Sequence, residues 1–268
     1  MIELTQITIY PVKACKGMTL SKAELSPFGL KDDRRWMVVD PDGVFLSQRM
    51  IPKMALIEPS LSPGSLILKA PGSTAVEIPF DPQPDLKRTV KIWNDTCTAQ
   101  DCGDIVAQWL STFLETDCRL VTRGNTFERS VNAKYSSQRD QVGFADAFPY
   151  LLISSASLRD LNVRLDQPIP MNRFRPNLVV SGCEPYEEDR WKRISFGTTT
   201  FRVSKPCSRC TVPTVDQLTG KTGKEPLATL TTYRRGKNNE VYFGQNLIGD
   251  QISGELVLGM EVSILEAR

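Results

Sequence analysis

At 268 residues the chain is long enough to bury a large core, and at about 150 residues per domain it holds one or two domains. Its 33 Lys and Arg stand against 31 Asp and Glu, without the basic excess by which a non-specific nucleic-acid binder neutralises phosphates; direct nucleic-acid contact is not expected, and any anion site has to be local. Histidine is absent, which excludes Ser-His and Cys-His nucleophile chemistry, and no apolar run approaches the roughly 18 residues that cross a bilayer.

The opening MIELTQITIYPVKACKGM reads as a strand and not as an export signal. The seven cysteines are odd in number and come with no secretory feature, so reduced thiols and a soluble cytoplasmic protein are expected. Three hairpins follow. RRWMVVD and VFLSQR flank Pro41-Asp42-Gly43, SLILKAPGSTAVEIPF turns at Pro71-Gly72, and TVKIWNDTCTAQD turns at Asn94-Asp95. GDIVAQWLSTFLET then changes period: Ile105, Trp109, Leu110, Phe113 and Leu114 share one helical face behind Asp104 as a candidate N-cap.

RLVTR reads as a strand, and the polar stretch from GNTFERS to DAFP as a long connection. SSASLRDLNVRL is a second helix, opened by Ser154 or Ser155, with Leu158, Leu161 and Leu165 on one face. Strands NLVVSG, RISFG and TTFRVSK precede a short helix, EPLATLTTYR, with Pro226 near its first turn, and VYFGQNLI and LVLGMEVSIL close the chain. Strands outnumber helices and are joined by short turns, so the expected fold class is α+β, mainly β and barrel-like, in preference to a doubly wound parallel sheet.

Cys207 and Cys210 form a Cys-x-x-Cys pair in KPCSRCTVPTVD. A zinc site would need two more ligands, and no second such pair supplies them. A thioredoxin-like pair opens a helix, whereas TVPTVDQLTG reads as strand and turn. Two readings stay open: buried inert thiols, or one thiolate on a soft metal inside a cofactor, with Lys205 and Arg209 favouring the deprotonated form. Basic pairs recur at Lys13 and Lys16, Arg34 and Arg35, and Arg173 and Arg175. Each alone suits a solvated face; together, near strand ends, they could surround one anionic ligand. Asp146 and Asn177 are each read as a local tie or a pocket group.

Several stretches in order, IYPVKACKG, GLKDDRRWMVVD, FADAFPYLLISSASLRDLN, FRPNLVVSG, KPCSRCTVPTVD, KEPLATLTTYR and FGQNLI, resemble the MOSC family with its N-terminal β-barrel companion, and within it the YcbX-like proteins and mitochondrial amidoxime reducing components. The resemblance implies an N-terminal β domain over 1–120 packed on a MOSC β-barrel domain over 121–268, with site residues drawn from both. It also implies a molybdenum cofactor, with Cys210 as the metal ligand, Lys13, Arg34, Arg175 and Asn177 around the pterin, and Asp146 near the metal. The implied reaction is reduction of small N-hydroxylated compounds to amines, with a detoxification role; a cofactor carrier or a sulfur-handling protein is the alternative. Ala14, Ala147 and Phe148 stand where relatives carry hydroxyl residues. No iron–sulfur cluster is expected in this chain, and electrons are expected from a separate flavin reductase or ferredoxin-type protein.

Overall fold

The computed structural model describes residues 1–82, 86–124, 126–136, 140–236 and 238–268. The chain enters on β1 (Glu3–Ile9) and β2 (Met18–Leu20), passes through β3 (Lys22–Ser26) and β4 (Gly29–Leu30), and reaches β5 (Trp36–Val39). Next come β6 (Glu58–Ser62), β7 (Ser65–Lys69) and β8 (Val76–Pro79), then β9 (Lys87–Ile92) and β10 (Asp95–Asp101). Helix α1 (Asp104–Leu114) leads to β11 (Arg119–Thr122), and β12 (Tyr150–Ser154) runs directly into α2 (Ser155–Val163). The remainder is β13 (Leu178–Ser181), β14 (Trp191–Phe196), β15 (Thr199–Ser208), α3 (Leu227–Tyr233), β16 (Tyr242–Gly249), β17 (Glu255–Val257) and β18 (Val262–Ala267). The fold is α+β and mainly β, as the strand-to-helix balance of the sequence predicts.

Eight strands make the largest sheet, in the order β18-β14-β15-β16-β12-β13-β1-β2. Only β12 and β13 pair in parallel, which requires a crossover, and α2 supplies it. β1 lies between β13 and the edge strand β2, so two strands from the first 20 residues complete one side of a sheet whose other six strands come from the last 120. A second sheet, β5-β11-β10-β9, is antiparallel throughout. Leu4, Ile7, Tyr150, Leu178, Phe196, Phe201 and Leu247 pack the core on the large sheet, while Trp36, Val38, Leu66, Leu110 and Leu120 pack a second beneath α1.

The hairpins at Pro71-Gly72 and near Asn94 form as predicted, although Ile92 pairs with Asp95, which sets the turn at Trp93-Asn94, one residue early. At Pro41-Asp42-Gly43 the turn forms, with the Gly43 amide donating to the Asp40 carbonyl at 3.0 Å. A Cβ on Gly43 would sit 2.4 Å from the Thr89 carbonyl oxygen, so the β9 backbone can approach only a glycine there. Beyond that turn VFLSQR makes only isolated bridges, Val39 to Phe45 and Val44 to Lys91, and continues as a loop. α1 departs from expectation at its start: Gly103 is the N-cap and Asp104 the first helical residue. Ile105 is 82% exposed, and Val106 and Ala107 carry the inner face with Leu110, Phe113 and Leu114. α2 is capped as read, the Ser154 hydroxyl accepting from the Ser157 amide at 3.0 Å.

Candidate active site

Loops at strand ends converge on a cavity of about 160 Å³ that opens into an outer cleft of about 780 Å³, the two sharing Arg49, Asp146, Cys207 and Cys210 as walls. Lys13 and Ala14 reach it from the bend after β1, Arg34 from the approach to β5, Asp146 from the approach to β12, and Arg175 and Asn177 from the approach to β13. Cys207 is the penultimate residue of β15, and Cys210 lies two residues beyond the strand's end. All six expected site residues, Lys13, Arg34, Asp146, Arg175, Asn177 and Cys210, therefore line one cavity.

Each basic pair divides its labour. Lys13, Arg34 and Arg175 face the cavity. Their companions turn away: Lys16 pairs with Glu58 at 3.3 Å, Arg35 with Asp32 at 3.0 Å, and Arg173 donates to the carbonyls of Pro213 (2.7 Å) and Glu225 (3.1 Å). Lys205 lines only the outer cleft, its ammonium 5.4 Å from the Tyr135 ring.

Buried Tyr10 organises the cationic floor. The Arg34 and Arg175 guanidinium carbons stand 4.3 and 4.2 Å from its ring centroid, within cation–π range. Arg34 is neutralised by buried Asp33, donating to both carboxylate oxygens at 2.8 and 2.6 Å. Arg175 has no carboxylate partner among the described residues; its one side-chain bond is a long 3.4 Å donation to Gln217 Oε1. Burial pushes the Arg175 guanidinium down to about 10 and the Tyr10 phenol up to about 12, so at neutral pH both the cation and the neutral phenol persist. Ala14, Arg34 and Arg175 all adopt left-handed backbone, with φ of 67°, 42° and 58°. Such conformations cost non-glycine residues energy and gather at functional sites.

Asn177 is consumed internally: its Oδ1 accepts from Arg34 Nη1 (3.0 Å) and the Leu151 amide (3.2 Å), and its Nδ2 donates to the Thr8 carbonyl (3.1 Å). It ties β1, β12 and Arg34 together. Two buried polar atoms on cavity-lining residues have no partner among the described residues, Ser47 Oγ and Arg209 Nε. A surplus cation and two unmatched polar atoms fit a ligand bearing negative charge and hydrogen-bond acceptors.

At the mouth, Asp146 Oδ1 accepts from Lys13 Nζ at 2.5 Å and from Trp93 Nε1 at 3.3 Å. The crowded cleft pushes this carboxyl up, but the Lys13 ammonium, the Lys13 hydrogen bond and the Arg49 charge outweigh it and hold Asp146 well below the usual carboxylate range. Its side chain remains 61% exposed. The loop carrying it is held by Arg129, which donates to the carbonyls of Gly143 (2.9 Å), Ala145 (2.5 Å) and Asp146 (2.8 Å) and pairs with Asp95 at 2.7 Å. Ala14, Ala147 and Phe148 line the inner cavity and leave that wall apolar.

All seven cysteines are free. Burial raises the thiols of Cys15 (to about 12), Cys97, Cys102, Cys118 and Cys183 (to about 11), which keeps those five protonated and unreactive. Cys207 and Cys210 are the two in the cavity wall. Arg209 Nη1 donates to Cys207 Sγ at 3.0 Å and Nη2 to the Phe174 carbonyl at 2.7 Å, so its charge is directed at the first thiol of the pair. Among the described residues no group of three or more Cys, Asp or Glu is placed to hold a metal ion.

Sequence reasoning missed Tyr10, Arg49, Trp93 and Arg129. An aromatic residue at a hairpin tip, where small polar residues are the rule, is a signal that could have found Trp93. Arg129 carries no such signal, because its four partners meet only in three dimensions.

Residues 1–117 match the MOSC N-terminal beta barrel domain and residues 139–263 the MOSC domain. The chain is 34% identical over 275 residues to mitochondrial amidoxime reducing component 2 of Bos taurus, spanning 97% of this chain and 81% of that protein. To the protein of that name from Rattus norvegicus it is 37% identical over 243 residues, 86% of this chain and 72% of the other. It is also 36% identical over 254 residues to the molybdenum cofactor sulfurase of Danio rerio, 87% of this chain but 31% of that one. With both domains in order and this identity held over most of its length, the chain belongs to the family of MOSC proteins that includes the mitochondrial amidoxime reducing components.

Proposed function

We propose that this protein is a molybdenum-cofactor-dependent reductase of small N-hydroxylated compounds, turning amidoximes and hydroxylamines into amidines and amines with release of water, in a detoxifying role. The observation that carries the reading is the meeting, in one cavity, of one cation from each of three separated basic pairs with the Cys207 and Cys210 thiols. Lys13, Arg34, Arg175 and Arg209 hold the anionic cofactor, and Cys210 supplies the thiolate ligand to its metal. Asn177 acts by fixing Arg34. Bound there, the cofactor supplies the two electrons that reduce the N–O bond, with two protons taken up per amine and water released.

The chain's own groups do the positioning. Asp146, held ionised, is a hydrogen-bond acceptor and not an acid at neutral pH; its Oδ2 has no partner among the described residues and is open to a substrate N–H or O–H. Arg129 keeps that carboxylate in place through the backbone that carries it. A separate electron-transfer protein of flavin reductase or ferredoxin type renews the electrons. No helix among the described residues is long and apolar enough to cross a membrane.

The likeness to a molybdenum cofactor sulfurase favours a second reading, a carrier or sulfur-handling protein that uses the same cavity without reductase turnover. One experiment separates them: purify the protein from a host that makes molybdenum cofactor, measure molybdenum and pterin per chain, and assay benzamidoxime reduction with reduced viologen. The expected result is near-stoichiometric molybdenum with turnover that Cys210→Ala abolishes. Cofactor without turnover establishes the carrier or sulfur-handling reading, and neither returns the pair to structural thiols.

A further inference from the structure

Of the four tryptophans, Trp36 and Trp191 are buried in the cores and Trp109 donates to the Thr74 carbonyl at 2.6 Å. Trp93 is different. It sits at the tip of the β9–β10 hairpin with φ 56°, a backbone state unusual for a bulky residue, and is 53% exposed. Its position is nevertheless fixed on three sides. The Arg49 guanidinium carbon lies 4.3 Å from its ring, the Phe45 ring centroid lies 5.1 Å away at 59°, and its Nε1 donates to Asp146 Oδ1 at 3.3 Å. The hairpin below it is tied to the Asp146 loop through the Asp95–Arg129 pair at 2.7 Å.

Trp93 lines the outer cleft with Cys210 and Asp146 but not the inner cavity where Arg34 and Arg175 lie. It is therefore on the side from which a substrate would enter. The outer cleft, at about 780 Å³, has the volume of a small-molecule site. An exposed, immobilised indole backed by a cation offers a flat π surface on which a second flat ring stacks. The Asp146 carboxylate stands at the edge of that surface, at the indole N–H, and its Oδ2 has no partner among the described residues. A substrate ring lying on Trp93 can thus extend an amidine N–H or an N–O–H past the ring edge to Oδ2.

We propose that Trp93, with Arg49 behind it and Asp146 at its edge, is the specificity platform of this cleft. It favours substrates whose N–OH group is attached to a planar aromatic or heteroaromatic system, such as aryl amidoximes and N-hydroxylated heteroaromatic amines, over small aliphatic ones. This rests on the reductase reading for the chemistry but concerns recognition, which is measured without turnover.

The test is calorimetric binding of benzamidoxime and acetamidoxime to the cofactor-loaded protein, alongside molybdenum content and kcat/KM with reduced viologen, for wild type, Trp93→Ala and Trp93→Phe. Wild type binds benzamidoxime more tightly than acetamidoxime. Trp93→Ala lowers that affinity ratio by about fivefold, the scale of one aromatic stacking contact, and Trp93→Phe, which keeps a ring, restores most of it; molybdenum per chain stays near the wild-type value in both. An unchanged ratio in Trp93→Ala, a wild type with no aromatic preference, or a parallel loss of molybdenum, which would make Trp93 a cofactor-packing residue, overturns the proposal. Turnover with an unaltered ratio sinks the platform and leaves the reductase standing. A Trp93-dependent preference without turnover does the reverse.

Discussion

Gly17 shows how closely the cationic floor is built. A Cβ there would lie 2.6 Å from Tyr10 Cε1 and 2.8 Å from Thr8 Cγ2, and Tyr10 is the ring on which Arg34 and Arg175 rest. Gly17→Ala must displace that ring. The expected outcome is a loss of about 1–3 kcal/mol, typical of an overpacked core, read from the urea midpoint. Cofactor retention should fall with it, read as molybdenum per chain after gel filtration; a variant with wild-type retention would mean that the floor tolerates a moved Tyr10. The sequence reveals Lys13, Arg34 and Arg175 as charges near strand ends, and the resemblance selects them over Lys16, Arg35 and Arg173. Composition alone could not, because the choice depends on which member of each pair the fold turns toward the cavity, and Lys13 and Arg34 find carboxylate partners there just as Lys16 and Arg35 find theirs elsewhere. The same limit hides the role of Asn177, whose three partners come from residues 8, 34 and 151.

Periodicity locates each helix correctly, but end effects decide its face. α1 begins behind Gly103, whose φ of 95° suits only a glycine, and the resulting frame leaves Ile105 in solvent. α2 carries a charge that periodicity cannot see. Fully buried Glu188 reaches its N-terminus, where Oε1 accepts from the Ser154 amide (3.1 Å) and the Ser157 hydroxyl (2.7 Å), while Oε2 has no partner among the described residues. Burial raises this carboxyl above its ordinary 4.5, against the opposing pull of those two hydrogen bonds. A raised folded value means that the contribution to stability is complete below pH 4.5 and is lost as pH climbs through the folded value, where an ionised, half-partnered carboxylate is left in the core. Glu188→Gln keeps the accepting oxygen and cannot ionise. It should match wild type near pH 4 and become the more stable of the two, by roughly 1–3 kcal/mol, once pH exceeds the Glu188 value. Thermal melts of both proteins at pH 4 and pH 8 read this directly; a difference independent of pH would show that Glu188 does not titrate in that range.

Across the whole molecule the site depends on chain entanglement and not on any one segment. β1 is hydrogen-bonded on both sides, to β13 and to β2, and buries Leu4, Ile7 and Ile9 in the core of the large sheet. The bend that follows it delivers Lys13 and the Tyr10 ring beneath Arg34 and Arg175, the second sheet delivers Trp93, and Arg34 and Arg49 come from the loops around β5, whereas Asp146, Arg175 and Cys210 come from the later part of the chain. Removing residues 1–120 would open the edge of β13, expose the apolar face that β1 covers and take away most of the cavity's cations. An uncovered hydrophobic edge strand recruits other chains. Residues 121–268 expressed alone should therefore aggregate, or bind a hydrophobic dye in the manner of a loosely packed state, and carry no molybdenum. Co-expression with residues 1–120 should restore solubility and metal content together, because the same strand completes the sheet and positions Lys13. A soluble 121–268 fragment that retained molybdenum would show instead that Arg175, Arg209 and Cys210 suffice to hold the cofactor, and that the N-terminal residues serve the substrate side of the cleft alone.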